Sequence, residues 1–184
     1  MNLSFYDKYL VTASLRVDGS SKFQKGKRFA YFPSASIAWR MEQEEFMKDI
    51  NWLSQLKLRV SYGETGSQSI APYSTFSDYA RVMDYATANG EKELAAVVSK
   101  LQNDGLKWER TSSWNAGFDF GVLKQRITGS FEYYKKKTSD LLINRDLPLS
   151  SGFASVTMNQ GSLTNEGVEF SLDATIIDNK EFQW

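Results

Sequence analysis

Apolar and polar residues alternate along six short stretches of the chain. In each stretch one set of alternate positions is apolar and the other is polar, as in Leu56, Leu58 and Val60 against Lys57 and Arg59. Side chains of a β-strand point in turn to opposite faces, so this period of two predicts strands with one apolar and one polar face. The predicted strands are residues 9–17, 33–41, 56–62, 114–120, 127–133 and 168–176, and a seventh begins at residue 181.

The lengths of the connections between these stretches also alternate. The first, third and fifth connections are long (residues 18–32, 64–111 and 145–164), whereas 42–55, 122–125 and 177–180 are shorter. Strands that follow one another with such connections predict an antiparallel meander, with long loops at one edge of the sheet and shorter connections at the other.

Two segments carry helical signals within the connections. Residues 44–50 could form one or two turns. Residues 91–102 place Leu94, Val97, Val98 and Leu101 at helical spacing, with Gly105 just beyond as a stop signal. The sequence therefore predicts a short helix inside the longest loop.

Composition and charge exclude several classes of function. The chain has 184 residues, with 22 basic and 22 acidic side chains, so no positive excess directs it to nucleic acid. It contains no His and no Cys, which removes disulfides, thiol nucleophiles, Cys/His zinc sites and His-based triads. No catalytic constellation, metal site or cofactor motif is found, so the chain is not expected to be an enzyme or to bind a cofactor.

Two β architectures fit this pattern. One is a soluble antiparallel sandwich or small barrel, such as a carbohydrate-binding module, whose apolar face lies in a core. The other is part of an outer-membrane barrel, whose apolar face contacts lipid. Aromatic residues, 14% of the chain, gather near the predicted strand ends, as the aromatic girdles of membrane barrels do. The predicted strands also approach the length of about 9–11 residues that crosses a bilayer.

Six stretches resemble the C-terminal half of the barrel of SusC/RagA-type TonB-linked outer-membrane transporters, in the family's order. They are YLVTASLRVDGSSKF (9–23), YFPSASIAWR (31–40) with EFM (45–47), LKLRVSYGETG (56–66), LKWERT (106–111) running into NAGFDFG (115–121), YYKKKTSDLL (133–142) and NQGSLTNEGVE (159–169).

The resemblance implies an energy-dependent importer of oligosaccharides or peptides in the outer membrane of a Gram-negative bacterium. In that family a plug domain fills a barrel of roughly 22 strands, and TonB and a SusD-like surface lipoprotein are partners. Residues 1–184 are expected to be a partial barrel with no plug domain and no signal peptide. The fold class is thus all-β, an up-and-down antiparallel meander of about seven strands that forms part of the wall of a large transmembrane barrel.

The alternation assigns individual side chains to faces. The lipid-side set is expected to be Val11, Leu15, Ile37, Leu58, Phe118, Phe131, Phe170 and Leu172. The lumen-side set is expected to be Arg16, Arg40, Lys57, Arg59, Asp119, Glu132, Glu169 and Asp173. A slip of one residue would invert the faces of a strand, so the expectation is sharp.

Three loop or strand-end features are candidate binding elements. The long loop 64–111 carries aromatic side chains that could stack on sugar rings or instead pack the loop: Tyr73, Phe76, Tyr79, Tyr85 and Trp108. Lys135, Lys136 and Lys137 could pair with lipopolysaccharide phosphates or form a solvated strand end. The segment from Asp18 to Ser21 could bind a cation, or be a glycine-containing turn at the end of a strand.

Overall fold

The computed structural model spans residues 1–184. It describes the backbone everywhere except at residues 77, 87, 154, 177, 180, 181 and 184, and it leaves the side chains of 77–87, 92–97, 99, 100, 149, 154 and 177–184 undescribed. Among the described residues, no helix has the length and apolar character needed to span a membrane.

Strands account for nearly all the regular structure of the described residues. In chain order they are β1 (Asn2–Phe5), β2 (Tyr9–Gly19), β3 (Phe29–Arg40), β4 (Leu53–Ser67), β5 (Asp78–Ala86), β6 (Lys92–Lys100), β7 (Glu109–Val122), β8 (Ile127–Ser139), β9 (Leu142–Asp146), β10 (Ser155–Asn159), β11 (Ser162–Ala174), β12 (Asp178–Asn179) and β13 (Phe182–Gln183).

Seven of these strands form one antiparallel sheet in the order β1-β2-β3-β4-β7-β8-β11. The six strands predicted in full are all present, and they pair in sequence order, so the predicted meander is confirmed. Among the described residues, the outer strands β1 and β11 do not pair with each other, and the sheet is open. The fold class predicted from the alternation is therefore confirmed.

The seventh strand of the sheet is not the one that the sequence predicted. It is β1, which pairs with β2 through the connection at Tyr6 and Asp7, both of which have positive φ. At the other end of the chain, the described residues of β13 pair only with β12, in a separate hairpin. Residues 177, 180, 181 and 184 of the predicted turn and strand lie outside the described residues.

The predicted helix at residues 91–102 is wrong. Lys92–Lys100 is strand β6, and it pairs antiparallel with β5 to form a hairpin inside the longest loop. The apolar spacing was ambiguous because Val97 and Val98 are β-branched residues that favour strands. A second hairpin, β9 with β10, lies in the connection between β8 and β11.

The edge of the sheet with the shorter connections is close to expectation. Residues 123–126 form the tight turn between β7 and β8, where Leu123, Lys124 and Gln125 have positive φ. Between β3 and β4 the predicted helical turns are two 3-10 turns, Met41–Gln43 and Glu45–Met47. We call this edge the short-turn edge, and the edge with connections 20–28, 68–108 and 140–161 the loop edge.

Candidate functional site: a two-faced sheet with a packed loop cluster

The strand register separates the two predicted sets of side chains. Residues directly opposite one another in an antiparallel pair lie on the same face. One apolar row crosses six strands, and each residue of the row lies opposite the next. Its members are, in order, Tyr9, Trp39, Leu58, Phe118, Phe131 and Phe170. Two opposed pairs belong to the other face: Lys57 with Asp119, and Glu132 with Glu169. The predicted division of side chains between two faces is confirmed.

No second layer covers the apolar face among the described residues. Leu15 and Phe170 are each 64% exposed, and Ile37 and Leu172 are each 57% exposed. Within the face, the rings of Phe118 and Phe131 stack at 5.7 Å. A sandwich would bury this face against another sheet, so its exposure disfavours the soluble sandwich.

Aromatic residues with polar tips mark both ends of the apolar face. At the short-turn edge, Tyr9 stacks on Trp39, and both donate hydrogen bonds to Glu44, at 2.9 and 3.1 Å. Near the loop edge, Tyr62 packs on Trp114, with ring centroids 4.7 Å apart. Rings of this kind favour the border between apolar and aqueous surroundings.

Glu44 ties the 3-10 turns to the short-turn edge. Lys8 Nζ lies 2.9 Å from its carboxylate. The hydrogen bond from Lys8, followed by those from Trp39 and Tyr9, lowers the pKa of the Glu44 carboxyl. The same contact raises the pKa of Lys8. The pair therefore stays ionised near neutral pH.

The polar face is divided into a charged zone and a hydroxyl zone. In the charged zone, nearer the short-turn edge, Arg59 contacts Asp119 at 3.2 Å and Glu132 at 2.7 Å, and so joins three strands. Gly117 lies between Arg59 and Glu132 in the register. A Cβ at Gly117 would overlap the backbone carbonyl oxygen of Phe131, so the sheet requires glycine at this crossing.

The hydroxyl zone lies nearer the loop edge. It forms a cavity of about 410 Å³, whose lining includes Thr12, Ser34, Ser36, Ser61, Asn115 and Lys136. Asn115 donates to Ser61 at 3.3 Å, and the hydroxyls of Ser14 and Ser34 are 2.7 Å apart. Hydroxyl and amide groups can both donate and accept hydrogen bonds, so this zone suits neutral polar ligands.

The bases of the long loops pack into a small core at the loop edge, the loop-edge cluster. Its buried apolar side chains are Phe23, Ala30, Phe32, Ile70, Leu106 and Trp108. The Trp108 ring lies 5.4 Å from that of Phe23 and 5.8 Å from that of Phe32, and its indole N–H donates to the Arg28 carbonyl at 3.1 Å.

Asn159 links this cluster to the β9–β10 hairpin. Its side-chain oxygen accepts from the Lys107 N–H at 2.9 Å, and its amide donates to the carbonyls of Lys107 and Asp140 at 2.9 and 2.8 Å. Asn103 donates to the Thr157 carbonyl at 2.7 Å. The bases of separate loops are therefore held together by short, specific contacts. Sequence patterns carry no signal for these contacts, because they join residues that are distant in the chain.

The aromatic candidates of the long loop divide by burial. Trp108 is 6% exposed and packs the loop bases, which was the alternative interpretation of the sequence. Tyr73, with positive φ, is 78% exposed, and Phe76 is 45% exposed. Tyr79 and Tyr85 lie in β5, but their side chains are outside the described part of the chain.

The segment beginning at Asp18 has the geometry of a strand end. Asp18 accepts a hydrogen bond from Arg16 at 2.8 Å, and Ser20 Oγ accepts the Lys22 N–H at 3.2 Å. Asp18 Oδ1 and Ser20 Oγ therefore already have partners within the chain. In the part of the chain that the structure describes, no three His, Cys, Asp or Glu side chains are grouped to hold a metal ion.

Comparison with known proteins places this architecture. The family model described as "TonB dependent receptor-like, beta-barrel" matches residues 1–184. The chain is 42% identical to TonB-dependent receptor SusC of Bacteroides thetaiotaomicron and 41% identical to TonB-dependent receptor P3 of Formosa agariphila. Each match covers the whole of this chain but only 19% and 18% of the relative.

Among solved structures, the RagAB peptide transporter superposes with a TM-score of 0.86 at 32% identity. That match covers 99% of this chain and 20% of the other. The chain thus spans about a fifth of the length of the relatives that it matches. With a family model that covers every residue and a sheet that superposes on a solved transporter, the chain belongs to the TonB dependent receptor-like, beta-barrel family.

Proposed function

We propose that the chain is part of the wall of an outer-membrane, TonB-dependent transporter that imports oligosaccharides or peptides in a Gram-negative bacterium. The observation that carries this proposal is the division of the sheet into an uncovered apolar face and a polar face, maintained across six strands. The apolar face contacts lipid, and the polar face borders the lumen. The protein carries out transport and no chemical reaction.

The partners follow from the same assignment. In the complete transporter, the TonB complex acts from the periplasmic side, and a SusD-like surface lipoprotein covers the extracellular side. The loop edge is the extracellular one, because outer-membrane barrels have short periplasmic turns and longer extracellular loops. The relation to SusC and the superposition on the RagAB peptide transporter support this arrangement.

The orientation of the faces can be tested by cysteine labelling, because residues 1–184 contain no Cys, and labelling of the parent protein without an added Cys gives the background. In the full-length gene product in membranes, Ile37→Cys is expected to resist a water-soluble maleimide, because lipid excludes the reagent and keeps the thiol protonated. Ser36→Cys, one residue away on the polar face, is the matched control and is expected to react. Equal labelling of both positions by the water-soluble reagent would contradict the proposal.

The exposed aromatic side chains of the long loop are proposed to contact cargo. Replacing Tyr73 and Phe76 together with Ala is expected to raise the half-saturating cargo concentration for uptake, because each ring contributes about 0.5–1.5 kcal/mol of stacking. Phe46→Ala is the control, since Phe46 is 62% exposed but lies at the short-turn edge. Unchanged uptake in the double variant would remove these two residues from the cargo site.

A further inference from the structure

The three consecutive lysines of β8 do not share one environment. Residues 135 and 137 alternate with 136, so Lys135 and Lys137 lie on the face of Phe131, while Lys136 lies on the polar face. Lys136 lines the hydroxyl-zone cavity with Ser34 and Ser113. The sheet thus separates three side chains that the sequence could not distinguish.

Lys137 adds a positive charge that no carboxylate of the described residues balances, on the loop-edge side of the aromatic residues that border the apolar face. Trp114, opposite Lys135 in the register, marks that border, and Lys137 lies two residues closer to the loop edge. Glu166 is already in contact with Lys135 Nζ at 2.9 Å, and Glu64 with Arg110 Nη1 at 3.1 Å.

The immediate neighbours of Lys137 are hydrogen-bonding groups. Ser112 in β7 and Thr164 in β11 lie directly opposite Lys137 on either side. Among the described residues, no carboxylate forms an ion pair with the Lys137 ammonium. Arg110 lies diagonally across from it in β7, and both side chains are exposed. Ser112 Oγ already donates to the Lys137 carbonyl at 3.4 Å, and the Arg110 guanidinium is held by Glu64. The Lys137 ammonium and the Thr164 hydroxyl therefore remain as donors, and they match the oxygens of a phosphate group.

We propose that Lys137, with Lys135 and the hydroxyl of Thr164, binds a phosphate group of a lipid in the outer leaflet. The inference rests on the proposed function, because it needs the apolar face in the membrane and the loop edge outside. Interfacial aromatic rings lie at headgroup level. Lys135 is level with Trp114 in the register, and Lys137 lies two residues beyond it. A lipid phosphate would therefore meet the patch without leaving its own layer.

The test uses the full-length gene product in phosphate-free detergent and bisphosphorylated lipid A as the probe. Lys137→Gln is expected to weaken lipid binding about fivefold, the effect of one cation near an anionic surface. Lys136→Gln removes the same charge one residue away on the opposite face and is expected to change binding less than about twofold. Lys137→Arg keeps the charge and should retain binding, which separates loss of charge from loss of folding.

Each outcome decides a different point. Loss of binding with dephosphorylated lipid A, together with dependence on Lys137, supports the inference. Inorganic phosphate bound equally well, with the same dependence on Lys137, would overturn the lipid assignment. Equal effects of Lys136→Gln and Lys137→Gln on lipid binding would contradict a phosphate site on the apolar face. If the wild-type protein does not bind lipid A, the inference fails, whereas the proposed function is tested separately by the cysteine labelling of residues 36 and 37.

Discussion

In buffer without detergent, the 184-residue chain is expected to sediment as large aggregates with no monomer peak. Each strand presents a face of about 30 Å by 5 Å, so seven strands present on the order of 1,000 Å². The largest apolar patch of an ordinary soluble monomer is about 300–600 Å². Nothing among the described residues covers this excess, and the outer strands β1 and β11 add unpaired backbone groups. Sedimentation velocity measures the result directly.

Matched variants identify which face causes the aggregation. Lysines at four apolar-face positions are expected to shift the chain towards smaller species: Leu15, Ile37, Phe131 and Phe170. Lysines at their neighbours on the polar face should leave the aggregates unchanged: Ser14, Ser36, Ser130 and Ser171. A sharp monomer peak of the natural chain, with cooperative thermal unfolding, would instead favour a soluble binding module.

Replacing Trp108 with Ala is expected to open the loop edge. Removing a buried Trp side chain costs about 3–5 kcal/mol, and this one fills the space between Phe23 and Phe32. Hydrogen exchange of residues 20–28 and 101–108 in the full-length gene product should therefore accelerate by about a hundredfold or more. The Arg28 carbonyl also loses the indole N–H and keeps the Ser20 N–H as its donor.

Trp114→Ala is the control for this experiment. Trp114 lies six residues further along, but it is 55% exposed on the apolar face, so its removal leaves no internal cavity. Exchange in the same loop segments should change little. Equal exchange in wild type and Trp108→Ala would show that the cluster does not hold the loops. If exchange were unchanged in Trp108→Ala but uptake of cargo fell, Trp108 would instead be a cargo contact.

The alternation predicted the strands because it reports which face is apolar, and that is a local property. Leu58 and Arg59 could be assigned to faces without knowing their neighbours. The partners of Arg59 could not be predicted, because contact with Asp119 and Glu132 depends on the register between three strands. The charged zone and the hydroxyl zone therefore became visible only in the assembled sheet.

The prediction failed where pairing between distant segments decides the structure. Strand β6 has apolar residues at helical spacing, but its pairing with β5 satisfies the backbone in an extended form. Strand β1 alternates over only four residues, Asn2 to Phe5, which is too short for a period to be recognised. Burial of Trp108 depends on Arg28 and Phe23, about eighty residues earlier in the chain, so sequence spacing could not reveal it.

The lengths of the connections in the meander affect how fast its strands can pair during folding. Strands β7 and β8 are joined by the four residues 123–126 and can zip together at once, whereas β4 and β7 are separated by residues 68–108. Closing that 41-residue segment costs about 2 kcal/mol more entropy than closing the four-residue turn. The pairing of β4 with β7 is thus expected to be slow, and it divides the wall into two parts, β1 to β4 and β7 with β8 and β11, which can form separately. If the β5–β6 hairpin forms first, it shortens the effective separation between β4 and β7. The hairpin inside the longest loop would then speed folding.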